Sequence, residues 1–345
     1  MRRLVVAYIA TSLIAPASGQ DGLPSIFQHA TGPQIAENAI DIGRLESLTD
    51  AYMSQMLNFA STGNLSQIGS NAINSVVYRG DLRNVVQRFD GTQSVDNRLA
   101  LGLVDIFGDI SQSGKNLAGS TVSNSLEFAD QLLGADGQQL VLNSAEIAIL
   151  YGSVGQSGIN MANYAEATLA IGSASQIIEL GAVQHVDNRL EVAAMSAVSA
   201  AISQRGENFG NIMISETVDS LTRNFAGDQK VHNVVVLGEG EAGSVTQHGT
   251  NMANFIMASR IGALEQISVG TQSVVNEVLD AQGNAVTGGG ITQTSDNSVN
   301  VIILTQPAEG GDDATILVAQ TADFPQSANS SGGGAQTGNA LVVDR

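Results

Sequence analysis

Gln184-His185-Val186-Asp187-Asn188-Arg189-Leu190-Glu191-Val192 alternates residue by residue, with Gln, Val, Asn, Leu and Val at even positions and His, Asp, Arg and Glu at odd ones. Successive side chains of a strand point to opposite faces, so this period of two predicts a β-strand with one wet face. The inward face mixes aliphatics with two amides. Buried amides must be paired, and a stack of equivalent strands supplies a partner at every level.

The phrase Gln-x-Val-x-Asn recurs at Gln93-Ser-Val95-Asp-Asn97, Gln139-Leu-Val141-Leu-Asn143, Gln229-Lys-Val231-His-Asn233 and Gln272-Ser-Val274-Val-Asn276. A second phrase, Gln-x-Gly-x-Asn, interleaves with it at Gln67 to Asn71, Gln112 to Asn116, Gln156 to Asn160, Gln204 to Asn208 and Gln247 to Asn251. Successive copies of the second phrase lie 45, 44, 48 and 43 residues apart. Such a period marks a repeat architecture whose units bury their apolar faces only against neighbours. Gln293 to Asn297 is a poorer sixth copy, and Gln34-Ile-Ala-Glu-Asn38 reads as a divergent early one. Half-units of roughly 22 residues predict an all-β solenoid of about ten two-strand rungs. Its ladder residues would be Gln67, Asn71, Gln112, Asn116, Gln156, Asn160, Gln204, Asn208, Gln247 and Asn251 on one phrase. On the other they would be Gln93, Asn97, Gln139, Asn143, Gln184, Asn188, Gln229, Asn233, Gln272 and Asn276.

Punctuation agrees with continuous pairing. The chain has 38 Gly but 5 Pro, and residues 61–305 hold no Pro, which would remove a donor from a central strand. Turns are expected at Arg79-Gly80-Asp81, Asp90-Gly91, Gly108-Asp109, Gly134 to Gly137, Gly172-Ser173, Gly227-Asp228 and Gly270-Thr271. The Ala-rich stretch from Leu190 to Gln204 is expected to be strand, with helix as the lesser alternative if it is read alone. Outward charges alternate: the residue before the Asn of Gln-x-Val-x-Asn is Asp96, Leu142, Asp187, His232 and Val275 in turn, an order that avoids stacking like charges.

The remaining segments differ in kind. Met1-Arg2-Arg3, the apolar run Leu4 to Ile14 and the small residues around Ala17 have the pattern of a secretory signal peptide over residues 1–19. Residues 20–60 are expected to form an N-terminal segment, with Asp41 to Leu57 as a capping helix. Residues 61–305 form the array. Residues 306–345 are a Gly/Ser-rich tail with a terminal strand at Ala340 to Arg345. Export is therefore expected, to the extracellular space or cell surface.

Several chemistries find no support in the sequence. There is no Cys, which removes disulfides and thiolate chemistry. A net charge of −19 disfavours nucleic acid or an anionic bilayer as partner, and no stretch reads as a membrane span. The histidines (His29, His185, His232, His248) match no metal spacing. Glu309-Gly-Gly-Asp312-Asp313 lacks the repeat of calcium-binding β-rolls. No catalytic, cofactor-binding or metal-binding residue is assigned, and the chain reads as a non-enzyme.

Gln156-Ser-Gly-Ile-Asn160-Met-Ala162 and Gln247-His-Gly-Thr-Asn251-Met-Ala253 resemble the curlin repeat, and the likeness extends over residues 61–305. The phrase Gln-x-Val-x-Asn carries Val where that family usually has Gly. The resemblance implies a curli-like functional amyloid: a self-assembling extracellular fibre or surface matrix of bacteria, active in biofilm and adhesion. The implied partners are further copies of the chain, other curli-like subunits and an outer-membrane secretion pore. The alternatives are a monomeric capped solenoid that binds a partner as an adhesin, and a minor nucleator of another protein's fibre.

Overall fold

The computed structural model describes residues 23–41, 64–106, 108–195, 200–239, 243–286, 290–305, 317–322, 326–329, 334–337 and 340–344. The signal-peptide stretch, most of the expected capping helix and the Glu309 to Asp313 cluster lie outside them. The described residues form strands and connections with no helix. The fold is all-β, with parallel sheets stacked in order, an arrangement compatible with a β-solenoid.

One sheet follows the order β1 (Ser25–Thr31), β4 (Asp81–Asp90), β6 (Ile110–Leu133), β8 (Val154–Ile178), β10 (Ala201–Phe225), β12 (Ser244–Ser268), β14 (Ile291–Thr305) and β17 (Gly334–Thr337). Pairing beside this path are β3 (Leu65–Val77) on β6, β15 (Leu317–Ala322) on β12 and β18 (Ala340–Asp344) on β14. The second sheet holds β2 (Gln34–Asp41), β5 (Thr92–Ile106), β7 (Gln138–Leu150), β9 (Val183–Met195), β11 (Asp228–Glu239), β13 (Thr271–Asp280) and β16 (Gln326–Asn329), stacked in chain order. The chain visits the sheets alternately, so each repeat is one coil.

Register corrects the expected rung count. Gln112 pairs with Gln156 and Gln156 with Gln204, and Gln139 pairs with Gln184. Partners thus lie a whole repeat apart. The two phrases of one repeat do not stack as successive rungs, so the count of ten from half-units is not what the register gives. They face each other across the core. The reason is length: a half-unit makes one strand and its connection, and it needs the other half to return to its own column.

The long strands of the first sheet are bent. Asn74, Asn163, Asn211, Asn254 and Asn300 have φ between 50° and 54°, and Gly119 holds the same place at φ 65°. This left-handed residue redirects the strand in each coil. Before it, the strand packs on the second sheet; beyond it, the chain makes a side arch and returns. The core follows that outline. Leu101, Ile147, Leu150, Leu190 and Val235 fill one end of the main arch, Phe89, Leu133, Ile178 and Phe225 fill the corner, and Leu126, Ile171, Met213, Leu221 and Ile256 fill the side arch. Narrow layers of this kind use small aliphatics.

Other expectations fare unevenly. Gly172-Ser173 is not a turn but lies inside β8, and the Ala-rich stretch from Leu190 is strand through Met195 and again from Ala201. In the N-terminal segment, β2 is a strand of the second sheet, with Gln34 beside Gln93 and Asn38 beside Asn97. The tail supplies four strands that pair in parallel with β12, β13 and β14.

Candidate functional site

Four amide columns run through the main arch. Gln67, Gln112, Gln156, Gln204, Gln247 and Gln293 are linked side chain to side chain at 2.5 to 2.7 Å. Asn71, Asn116, Asn160, Asn208, Asn251 and Asn297 are linked at 2.9 to 3.0 Å. In the second sheet, Gln34, Gln93, Gln139, Gln184, Gln229 and Gln272 form a third column at 2.7 to 3.0 Å. Asn38, Asn97, Asn143, Asn188, Asn233 and Asn276 form the fourth at 2.7 to 2.8 Å. All twenty residues named from the sequence therefore sit in continuous ladders.

Each amide also ties the two sheets together. Gln156 Nε2 donates to the carbonyls of Asn143 (3.1 Å) and Arg189 (2.9 Å), and Asn160 Nδ2 to that of His185 (3.0 Å). In return Gln184 donates to the Phe209 carbonyl and Asn188 to that of Arg205, both at 3.0 Å. A buried amide left without partners costs about 1–3 kcal/mol; here Gln156, Asn160, Gln184 and Asn188 each donate to a ladder neighbour and to a backbone carbonyl.

The Gly of one phrase and the Val of the other are one steric device. A Cβ built on Gly114, Gly158, Gly206 or Gly249 would lie 2.2 to 2.3 Å from Cγ1 of Val141, Val186, Val231 or Val274, respectively. The missing side chain is the hole, and the facing Val fills it. Val95, Val141, Val186, Val231 and Val274 make a fully buried column of their own.

Two further columns escaped sequence reading. At the bend, Asn163 donates to Asn211, Asn211 to Asn254 and Asn254 to Asn300 at 2.8 to 2.9 Å. The signal was there: an Asn three residues after the motif Asn, as in Asn160-Met-Ala-Asn163 and Asn208-Phe-Gly-Asn211. In the side arch, Gln87 is linked to Gln28, Gln131 to Gln87 and Gln176 to Gln131 at 2.8 to 2.9 Å. Arg223 occupies the next level of that column, between Gln176 and Gln266.

The bend column yields a test. Asn211→Ala removes the side-chain bonds to Asn254 (2.8 Å) and the Asn224 carbonyl (3.0 Å) and leaves a Cβ residue at φ 54°. Asn211→Gly removes the same bonds without the conformational penalty. The alanine variant is expected to be less stable than the glycine variant by about 1 kcal/mol, read from urea midpoints. Equal stabilities would deny that the left-handed bend selects the residue.

The outer faces carry ordinary strand-surface chemistry. Asp187 neighbours Leu142 on one side and His232 on the other, so no like charge stacks on it, whereas Glu37 lies beside Asp96 at the start of the same column. His232 lies 3.6 Å from Asp187 and 3.9 Å from Glu277. Arg98 pairs with Asp96 at 2.6 Å, whereas Arg189 pairs with Glu191 rather than Asp187. Burial lowers the pKa of His185 despite the opposing pull of Asp187. Among the described residues no cluster of three or more His, Asp or Glu is placed to hold a metal ion, and no helix is long and apolar enough to cross a membrane. Arg79-Gly80-Asp81 lies at the connection from β3 to β4.

What the arrangement offers chemically is its edges. β1, β2 and β3 at one end, and β15 to β18 at the other, each have a strand neighbour on one side only among the described residues. Unpaired parallel edges template further strands. Comparison with family models, with curated proteins and with solved structures finds no match to this chain.

Proposed function

We propose that this chain is an exported, curlin-like structural protein of β-solenoid fold that self-assembles into an extracellular amyloid-like fibre or surface matrix. The observation that carries the reading is the pair of sheet ends that are open among the described residues, joined by the four continuous amide ladders of the main arch. In such a stack an added copy extends every ladder by the same bonds that hold the coils together, so growth repeats the internal chemistry of the subunit. The basic start and short apolar stretch at the N-terminus support export, and the motif likeness supports the curlin type. The partner is another copy of the chain, with related subunits and a secretion pore as further candidates.

Purified residues 20–345 are expected to form fibres that raise thioflavin fluorescence and give a diffraction spacing of about 4.8 Å. A β-rich monomer that persists for days would defeat the reading in favour of a capped, partner-binding solenoid. Replacing Gln156 and Asn160 together by Ala removes one level from two ladders. Assembly should then slow by tenfold or more, since losses of about 1.4 kcal/mol each shift an equilibrium tenfold. Unchanged kinetics would detach the ladders from assembly.

A further inference from the structure

The Gln and Asn ladders run in opposite directions. Every linked Gln donates its Nε2 to the Oε1 one coil earlier in the chain: Gln112 to Gln67, Gln139 to Gln93, Gln131 to Gln87. Every linked Asn donates its Nδ2 to the Oδ1 one coil later: Asn71 to Asn116, Asn97 to Asn143, Asn163 to Asn211. The amides are not free to flip. Gln112 Nε2 also donates to the carbonyls of Asn97 and Ser144, and Asn116 Nδ2 to that of Leu140. A flipped amide would set oxygen against oxygen at each of these. The early end of the stack therefore presents Gln donors and Asn acceptors.

The ends are also stepped alike. At the early end, β1 and β2 form the side-arch return and second-sheet strand of a coil, and β3 opens the next. At the late end, β15 and β16 complete one coil, and β17 with β18 open another on top of β14. We infer, granting the fibre reading above, that copies join head to tail, with β1 on β15, β2 on β16 and β3 on β17 and β18. One coil of the fibre is then shared, its first half from one copy and its second from the next.

Register names the contacts. Extending the columns sets Gln28 above Gln320, Gln34 above Gln326, Asn71 above Gln336 and Val77 above Val342. Joining two early ends would oppose donor to donor and acceptor to acceptor. The early end also carries exposed apolar side chains, Phe27, Ile35, Ile68 (72% exposed) and Val77 (75%). A further coil would cover part of that surface. The occupant is a second copy because β1, β2 and β3 lack a neighbour on the very columns that β15, β16, β17 and β18 end, so one copy's late end supplies the strands that another's early end is missing.

The test blocks one end only. Leu65 N–H donates to the Asp109 carbonyl, so by alternation Ile68 turns its N–H away from β6, toward the open edge. Pro24 C=O accepts from Arg83, which turns Phe27 N–H to the open side of β1. The variant F27P/I68P removes both edge donors without touching an existing pair, and F27K/I68K alters the same side chains while keeping the donors. With far-UV circular dichroism unchanged, F27P/I68P should sediment as a monomer. A labelled sample added to wild-type fibres should mark one end of each. F27K/I68K should still polymerise. Dimers of F27P/I68P, joined through two late ends, or fibres of it alone, would overturn the junction while leaving the fibre reading intact. Loss of assembly in F27K/I68K to the same degree would deny that the edge donors make the contact. Absence of wild-type fibres would bring down the fibre reading, and the junction with it.

Discussion

Arg223→Gln is expected to stabilise the protein by on the order of 3 kcal/mol, the scale of an uncompensated charge in the interior. Arg223 is fully buried. Among the described residues its Nε, Nη1 and Nη2 have no hydrogen-bond partner, and neither does Oε1 of Gln176 one coil away. Burial pushes the guanidinium far below its ordinary pKa, yet an arginine does not readily give up its proton, so the cost falls on folding. Glutamine would restore the side-arch ladder, donating to Gln176 as Gln176 donates to Gln131. Arg223→Met should recover part of the gain, because it removes the charge and leaves the acceptor on Gln176 unmet. Urea or thermal unfolding reads both. A wild-type protein more stable than either variant would mean that Arg223 finds partners in solution.

Gly206→Ala is expected to be among the most damaging single-methyl changes in the chain. The new Cβ would lie 2.3 Å from Cγ1 of Val231 and 3.2 Å from that of Val186. These contacts are with β-branched side chains in a full column, which have no free end to swing aside. Overpacking of this kind costs about 1–3 kcal/mol, and Ala for Val231 alone leaves a cavity costing about 1–3 kcal/mol. Combined, the two changes relieve each other: the methyl enters the space the valine gives up. The double variant should be more stable than the sum of the single effects predicts by at least 1 kcal/mol. Simple additivity would show that the Gly and Val columns do not interlock.

Why the sequence carried some of this and not the rest follows from what each position repeats. The four main-arch ladders were legible because Gln and Asn sit four residues apart in an alternating run, as at Gln184 and Asn188, and such amides have no other use on an inward face. The Gly–Val complement was not legible. The two residues lie on different phrases, and only the facing of the half-units brings Gly158 against Val186. The same fact undid the rung count, since spacing alone does not say whether half-units stack or oppose. The side-arch column was hidden by slippage in its offset: Gln176 precedes Gln184 by 8 residues, whereas Gln266 precedes Gln272 by 6. The extra residues pass into the turn that contains Gly181. The bend repeats as Asn-x-x-Asn, but nothing in the alternation before it announces a left-handed residue.

Pairing at a distance of one whole repeat has a kinetic side. A strand of the first coil finds its partner only after some 45 residues of intervening chain have been drawn together, a closure costing roughly 3 kcal/mol by loop entropy. For the first two coils, little has yet formed to offset that cost. Every later coil docks on a finished surface and is rewarded as it lays down. Folding should therefore resemble a zipper with a reluctant first tooth, its delay set by the earliest pair of coils and hardly at all by how many follow.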